Sequence, residues 1–198
     1  MIRYSPIVLV ISLLFLSQSL MAQIQKAPPR AEGEGPWPQL IIRGVTLING
    51  NGAPPTGPVD IVVEKNRITQ IRTVGYPGVK INPDSRPKLA TGGKELDATG
   101  MFLLPGFVDV HAHIGGQAQG ANAEYVFKLW MAHGVTTIRD PSAGNGLDWV
   151  LDQKKKSAAN EITAPRILAY TSFGQGSSVN TPEEARKWVQ ENAKKGAD

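Results

Sequence analysis

Apolar and polar positions divide the chain into a strand-rich first half and a second half in which strands alternate with helices. In the first half, turn-forming residues separate short β-type runs at residues 40–48, 60–64, 67–71 and 94–102. These runs predict a small antiparallel sheet. From residue 105 onward, the period of two alternates with the helical period of 3.6 residues, which indicates a second kind of architecture.

The second half contains three consecutive strand-and-helix units. The strands are predicted to start at residues 107, 135 and 166, which are 28 and 31 residues apart. The helices are predicted at residues 121–133, at residues 147–157 and after Thr181, where a capping box with proline at the first helical position marks the start. Strands and helices that alternate at this interval predict right-handed βαβ units and a parallel sheet.

The candidate chemistry is concentrated in the strand predicted at residues 107–113. The period of two places Asp109, His111 and His113 on one face and small apolar residues, Val108 among them, on the other. Small apolar residues suit a face covered by helices, whereas aspartate and histidine suit the interior of a barrel that opens at the carboxyl ends of its strands. The two imidazoles, about 7 Å apart at their Cα atoms, are close enough to bind one metal ion. A pair of exposed loop histidines is the alternative, because His-x-His is common.

Composition and charge indicate a globular protein without a nucleic-acid surface. The chain has 198 residues, of which 41% are hydrophobic and 19% charged, and a formal net charge of +4. Its only basic run, Lys154 to Lys156, has no aromatic or arginine-rich stripe beside it, so we interpret it as a solvated helix face. The chain has no cysteine. Any metal must therefore be held by imidazole and carboxylate.

The amino terminus has the pattern of a secretory signal at residues 1–22. Arg3 precedes an apolar core at residues 7–16, and small residues lead to a cleavage position after Ala22. An apolar core of this length is too short to span a membrane, which needs about 20 residues. We expect export to the periplasm or the medium without a stable membrane span. After the signal, residues 23–38 are rich in proline and glycine and are expected to form a flexible leader.

Residues 105–113, Pro-Gly-Phe-Val-Asp-Val-His-Ala-His, resemble the signature of the metal-dependent amidohydrolase superfamily. Residues 134–140, Gly-Val-Thr-Thr-Ile-Arg-Asp, are similar to the next segment of the chain in the branch of imidazolonepropionase-like and prolidase-like enzymes. The resemblance implies an α/β fold. Residues 105–198 would form the first three βα units of a (β/α)8 TIM barrel, and residues 39–104 part of a small β-sandwich. The resemblance also implies that His111 and His113 are the first two metal ligands.

The resemblance implies hydrolysis of an amide, cyclic amide or peptide-like C–N bond by metal-activated water, with a small-molecule or peptide-like substrate. One or two divalent ions would be bound, and Zn²⁺ is the default for imidazole-rich sites. The other ligands and the general base belong to later strands in that superfamily. We therefore expect the chain to be an amino-terminal fragment that neither catalyses nor folds stably alone, with a lysine-bearing strand soon after Asp198.

Several interpretations remain open at the level of the sequence. The main alternative to an enzyme is a non-enzymatic exported binding protein with a vestigial histidine pair. Asp109 could bind a metal directly or support its ligands. His133 is expected to interact with the carboxyl end of a helix. Arg139 and Asp140 could contact a substrate, although Asp140 also begins an ordinary turn pattern.

Overall fold

The computed structural model describes residues 34–198, so the predicted signal and most of the leader lie outside the described residues. The strands are β1 (Gln39–Leu47), β2 (Thr56–Glu64), β3 (Arg67–Thr73), β4 (Lys94–Asp97), β5 (Phe102–Leu103), β6 (Phe107–Asp109), β7 (Val135–Asp140) and β8 (Arg166–Ala169). The α-helices are α1 (Ala123–Ala132), α2 (Leu147–Ala158) and α3 (Pro182–Lys195). Within residues 34–198, no helix has the length and apolar character needed to cross a membrane.

The first sheet has the order β3-β2-β1-β4, and β5 also pairs with β1. The pairs β1–β2 and β2–β3 are antiparallel, whereas β4 and β5 run parallel to β1. The prediction of an antiparallel sheet is therefore wrong for its last two strands. Residues 74–93 form a connection long enough to return the chain to the other end of the sheet, as a parallel pair requires.

A buried carboxylate lies in the middle of the apolar strand β2. Asp60 Oδ2 accepts hydrogen bonds from Arg43 Nη1 at 2.9 Å and Arg86 Nε at 2.9 Å. Its Oδ1 atom accepts from Arg86 Nη2 at 2.7 Å and from the Gly44 amide at 2.9 Å. Because Arg86 belongs to the connection at residues 74–93, this cluster ties that connection to the sheet.

The second sheet has the order β6-β7-β8, and all its strands are parallel, as predicted. Helix α1 packs on β7 and helix α2 on β8. The apolar core between sheet and helices includes Phe127, Ile138, Val150 and Ile167, each at most 1% exposed. The capping box predicted at Thr181 is also present at the start of α3.

Strand β6 ends at Asp109, four residues before the predicted end, which is therefore wrong. The Asp109 carboxylate accepts a hydrogen bond from the His111 amide at 2.8 Å, a local bond between side chain and backbone that competes with strand pairing. The prediction that helices cover Val108 is also wrong within residues 34–198, because this side chain is 59% exposed. Helices α1 and α2 cover β7 and β8 instead.

Candidate metal centre

His111 and His113 come after the carboxyl end of β6, and both are exposed. Their ring centroids are 5.5 Å apart, and the ring planes are inclined by 75°. The structure thus brings together the two histidines that the sequence singled out, although they project from a loop rather than from the predicted strand. Two imidazoles at this separation can direct nitrogen atoms towards a common point, since each metal–nitrogen bond is about 2.0–2.1 Å long.

The chain before and after the histidines is held by neighbouring elements. Gly106 enters β6 so close to β7 that a Cβ atom would lie 2.0 Å from Thr136 Oγ1. Beyond the histidine pair, Trp130 Nε1 of α1 donates a hydrogen bond to the His113 carbonyl oxygen at 3.3 Å. The sequence predicts Trp130 as part of the helix at residues 121–133. Its polar atom therefore has a role that periodicity does not reveal.

Asp109 lies beside the histidine pair but does not complete a metal site. Its Oδ1 atom accepts the His111 amide hydrogen bond, and its side chain is only partly exposed. Among residues 34–198, no cluster of three or more histidine, cysteine, aspartate or glutamate side chains is arranged to hold a metal ion. Of the two roles left open for Asp109, the structure favours support of the loop that carries the histidines.

The other candidate residues have different surroundings. His133 Nδ1 donates to the Leu129 carbonyl oxygen at 2.7 Å at the end of α1, which confirms the predicted helix-terminal role. Asp140 is 2% exposed, and its Oδ1 atom accepts from the Ser142 amide at 3.1 Å, so the turn interpretation is correct. Arg139 points to the histidine loop, where its Nη1 atom donates to the Val110 carbonyl oxygen at 3.3 Å.

The histidine pair fits part of a metal site. Neither imidazole has a hydrogen-bond partner among the described residues, so their nitrogens remain available for coordination. Neutral imidazole is the commonest protein ligand of metals such as zinc. A catalytic zinc ion typically has three protein ligands, and the described residues contribute two candidates.

Comparison of the sequence with known proteins gives relatives but no matching family model. Over 108 residues, the chain is 31% identical to adenine deaminase of Bacillus velezensis (strain DSM 23117 / BGSC 10A6 / LMG 26770 / FZB42), covering 50% of this chain and 18% of the relative. It is 28% identical to N-acyl-D-aspartate deacylase of Alcaligenes xylosoxydans xylosoxydans, covering 68% and 24%. It is 27% identical to N-acetylglucosamine-6-phosphate deacetylase of Lysinibacillus sphaericus, covering 63% and 29%. The chain therefore spans less than a third of the length of these curated relatives.

Solved structures show the same fold over most of the chain. Molinate hydrolase matches with a TM-score of 0.58 and 22% identity, covering 82% of this chain and 44% of that one. A Xaa-Pro dipeptidase with bound methionine matches with a TM-score of 0.56 and 22% identity, covering 81% and 45%. The sequence relatives and the shared fold together confirm the resemblance to the amidohydrolase superfamily that residues 105–113 indicate.

Proposed function

We propose that this chain carries the opening part of the active site of a metal-dependent amidohydrolase, in which His111 and His113 are the first two ligands. The observation that carries the proposal is a pair of imidazoles that lie 5.5 Å apart at the carboxyl edge of a parallel sheet and have no hydrogen-bond partner within residues 34–198. Ligands of α/β enzymes bind at this edge. Zinc is the ion that two imidazoles favour, with one or two ions in the complete site.

In this proposal, β6 to β8 and their helices are the first three βα units of a (β/α)8 barrel. The parallel order β6-β7-β8 and the helices packed on β7 and β8 support it. The barrel portion would occupy residues 105–198. Strands β1 to β5, at residues 39–104, would be part of a small β-sandwich.

The proposed reaction is hydrolysis of a C–N bond in a small-molecule or peptide-like substrate. When bound, a divalent ion lowers the pKa of water and polarises a carbonyl oxygen. The part of this chain is to hold the ion through His111 and His113 and to leave it open to substrate, since both side chains are exposed. The names of the relatives support this class, because a deaminase and two deacylating enzymes all cleave bonds between carbon and nitrogen.

We expect the natural gene product to hydrolyse at least one of three probes in a zinc-dependent manner: adenine, an N-acetyl amino acid or a proline-containing dipeptide. Release of ammonia, acetate or amino acid would be measured before chelation, after chelation and after zinc is restored. Turnover should disappear with the metal and return with it. Turnover that survives complete removal of metal would contradict the proposal. Tight zinc binding without turnover of any probe would favour the exported binding protein.

We also propose that the protein is exported, with cleavage after Ala22. The basis is the sequence of residues 1–22, in which a basic residue, an apolar core and a small-residue exit come one after another. Amino-terminal sequencing of protein recovered from the periplasm or medium should begin at Gln23. An intact Met1 on that protein would show that no signal is removed.

A further inference from the structure

Arg139 contacts the backbone on both sides of His111. Its Nη1 atom donates to the Val110 carbonyl oxygen at 3.3 Å, and its own carbonyl oxygen accepts a hydrogen bond from the Ala112 amide at 2.9 Å. The His111 amide between them donates to Asp109 Oδ1 at 2.8 Å. Three successive backbone groups around this exposed histidine are therefore fixed, and Arg139 accounts for two of them.

The guanidinium group of Arg139 is itself held in place. Its Cζ atom lies 4.2 Å from the centroid of the Tyr170 ring. Tyr170 is the residue that directly follows β8. An arginine stacked on an aromatic ring loses less freedom when it forms hydrogen bonds, because its planar group is already oriented. Among the described residues, Arg139 forms no ion pair with a carboxylate. The contacts of its side chain are thus the Tyr170 ring and the Val110 carbonyl oxygen in the loop that carries the histidines.

We propose that Arg139 is a positioning residue for the histidine pair, which orders the loop so that His111 can coordinate metal together with His113. This inference rests on the proposed function. A ligand on an unrestrained loop must lose conformational freedom when it binds an ion, and that loss weakens affinity. The main-chain carbonyl of Arg139 holds Ala112 and its side chain holds Val110, and only the side-chain bond depends on the arginine. By holding Val110, the side chain lowers this cost before the ion arrives, so its effect should appear in metal affinity and in local order rather than in global stability.

The test compares Arg139→Met with Arg166→Met in the natural gene product. Methionine retains a long apolar side chain but cannot donate to Val110. Arg166 is a matched control, because it is an exposed arginine at the start of β8 whose side chain forms no hydrogen bond or ion pair among the described residues. Zinc affinity is measured by competition with a chelating dye. In the metal-free protein, hydrogen exchange is measured at the amides of His111 and Ala112.

Arg139→Met should weaken zinc binding about 10–100-fold, the range found for residues that support metal ligands. It should also speed exchange at both amides, while Arg166→Met changes neither quantity. Wild-type zinc affinity in a folded Arg139→Met protein would overturn the inference. If that variant does not fold, Arg139→Lys decides: zinc affinity weaker than that of the wild type supports the inference, and wild-type affinity overturns it.

Failure of the proposed function has a different signature. The wild-type protein would then bind no zinc, or His111→Ala would bind it as tightly as wild type. Either result would show that His111 and His113 do not bind the ion, and the positioning role proposed for Arg139 would then have no metal site to support. Unchanged amide exchange in Arg139→Met would instead show that the hydrogen bonds of Arg139 do not order the loop.

Discussion

Replacement of both His111 and His113 by alanine is expected to abolish tight zinc binding and zinc-dependent hydrolysis. The two side chains are the candidate ligands that the structure brings together, with ring centroids 5.5 Å apart. Changes to residues that only support ligands already cost about 10–100-fold in metal affinity, so loss of two ligands should cost more. Global stability should change little, because both side chains are exposed. Elemental analysis after dialysis and a thermal unfolding curve measure the two effects.

The third histidine of the chain provides the matched control. His133 caps α1 through the Leu129 carbonyl oxygen, and asparagine at this position can still donate a hydrogen bond. His133→Asn should therefore retain zinc and activity. Metal content that is unchanged in the double variant, or equally reduced in His133→Asn, would place the ion away from the histidine pair.

The sequence predicted most accurately those elements whose signals are local. Strand β7 starts at the predicted residue 135, α2 ends one residue after its predicted end at residue 157, and α3 starts where its capping box predicts. Strong caps explain the agreement: Thr181 and Glu184 bind each other's backbone at the start of α3, and Gly196 ends it in the left-handed region. These signals act within a few residues of one another. They do not depend on how distant parts of the chain meet.

The errors arose where distant residues decide the structure. The direction of β4 depends on the path of residues 74–93, which carry few apolar residues and so give no periodic signal. Strand β6 ends early where the Asp109 side chain accepts a hydrogen bond from the His111 amide, a local bond that competes with pairing between strands. A period of two describes only the pattern that continues the strand.

The same limit applies to the surroundings of the candidate site. His111 and His113 lie close together because they are only two residues apart in the sequence. The contact of Arg139 with Val110, in contrast, depends on the pairing of β6 with β7, and its stacking on Tyr170 depends on β8. The sequence analysis offered contact with a substrate as the function of Arg139. Only the parallel register shows that its nearest polar partner is the backbone beside His111.

The buried cluster around Asp60 was likewise absent from the sequence interpretation, although one signal was available. An acidic residue lies between Val59 and Ile61, and the side chains of both neighbours are 1% exposed. A charge within a buried strand requires partners, because an isolated buried carboxylate is strongly unfavourable. The sequence does not identify these partners, since Arg43 lies in β1 and Arg86 in the connection before β4.

Replacement of Asp60 by alanine is expected to lower the free energy of unfolding by about 3–5 kcal/mol, the usual effect of removing one partner from a buried ion pair. Asp60 has no exposed side-chain surface, and the side chains of Arg43 and Arg86 are 11% and 25% exposed. Both arginines would keep their charge while losing their shared acceptor. The connection at residues 74–93 would also lose its attachment to β2. Urea unfolding of the natural gene product measures the change.

A matched control separates this cluster from ordinary surface ion pairs. Asp152 pairs with Lys156 one turn later on α2, and its side chain is 47% exposed. Asp152→Asn should cost no more than about 0.5 kcal/mol, as exposed helical pairs do. Equal losses in Asp60→Ala and Asp152→Asn would show that the buried cluster contributes no special stability.

The contribution of Asp60 should also depend on pH. Burial would raise the pKa of Asp60, but hydrogen bonds from Arg86, the Gly44 amide and Arg43 outweigh burial and hold the pKa below its usual value. A carboxyl group with a lowered pKa in the folded state stabilises the protein above its unfolded pKa of about 3.9. That stabilisation is lost as the pH falls through the folded pKa. The difference in unfolding free energy between wild type and Asp60→Asn should therefore be constant near neutral pH and shrink below about pH 5. A difference that stays constant to pH 3 would contradict the lowered pKa.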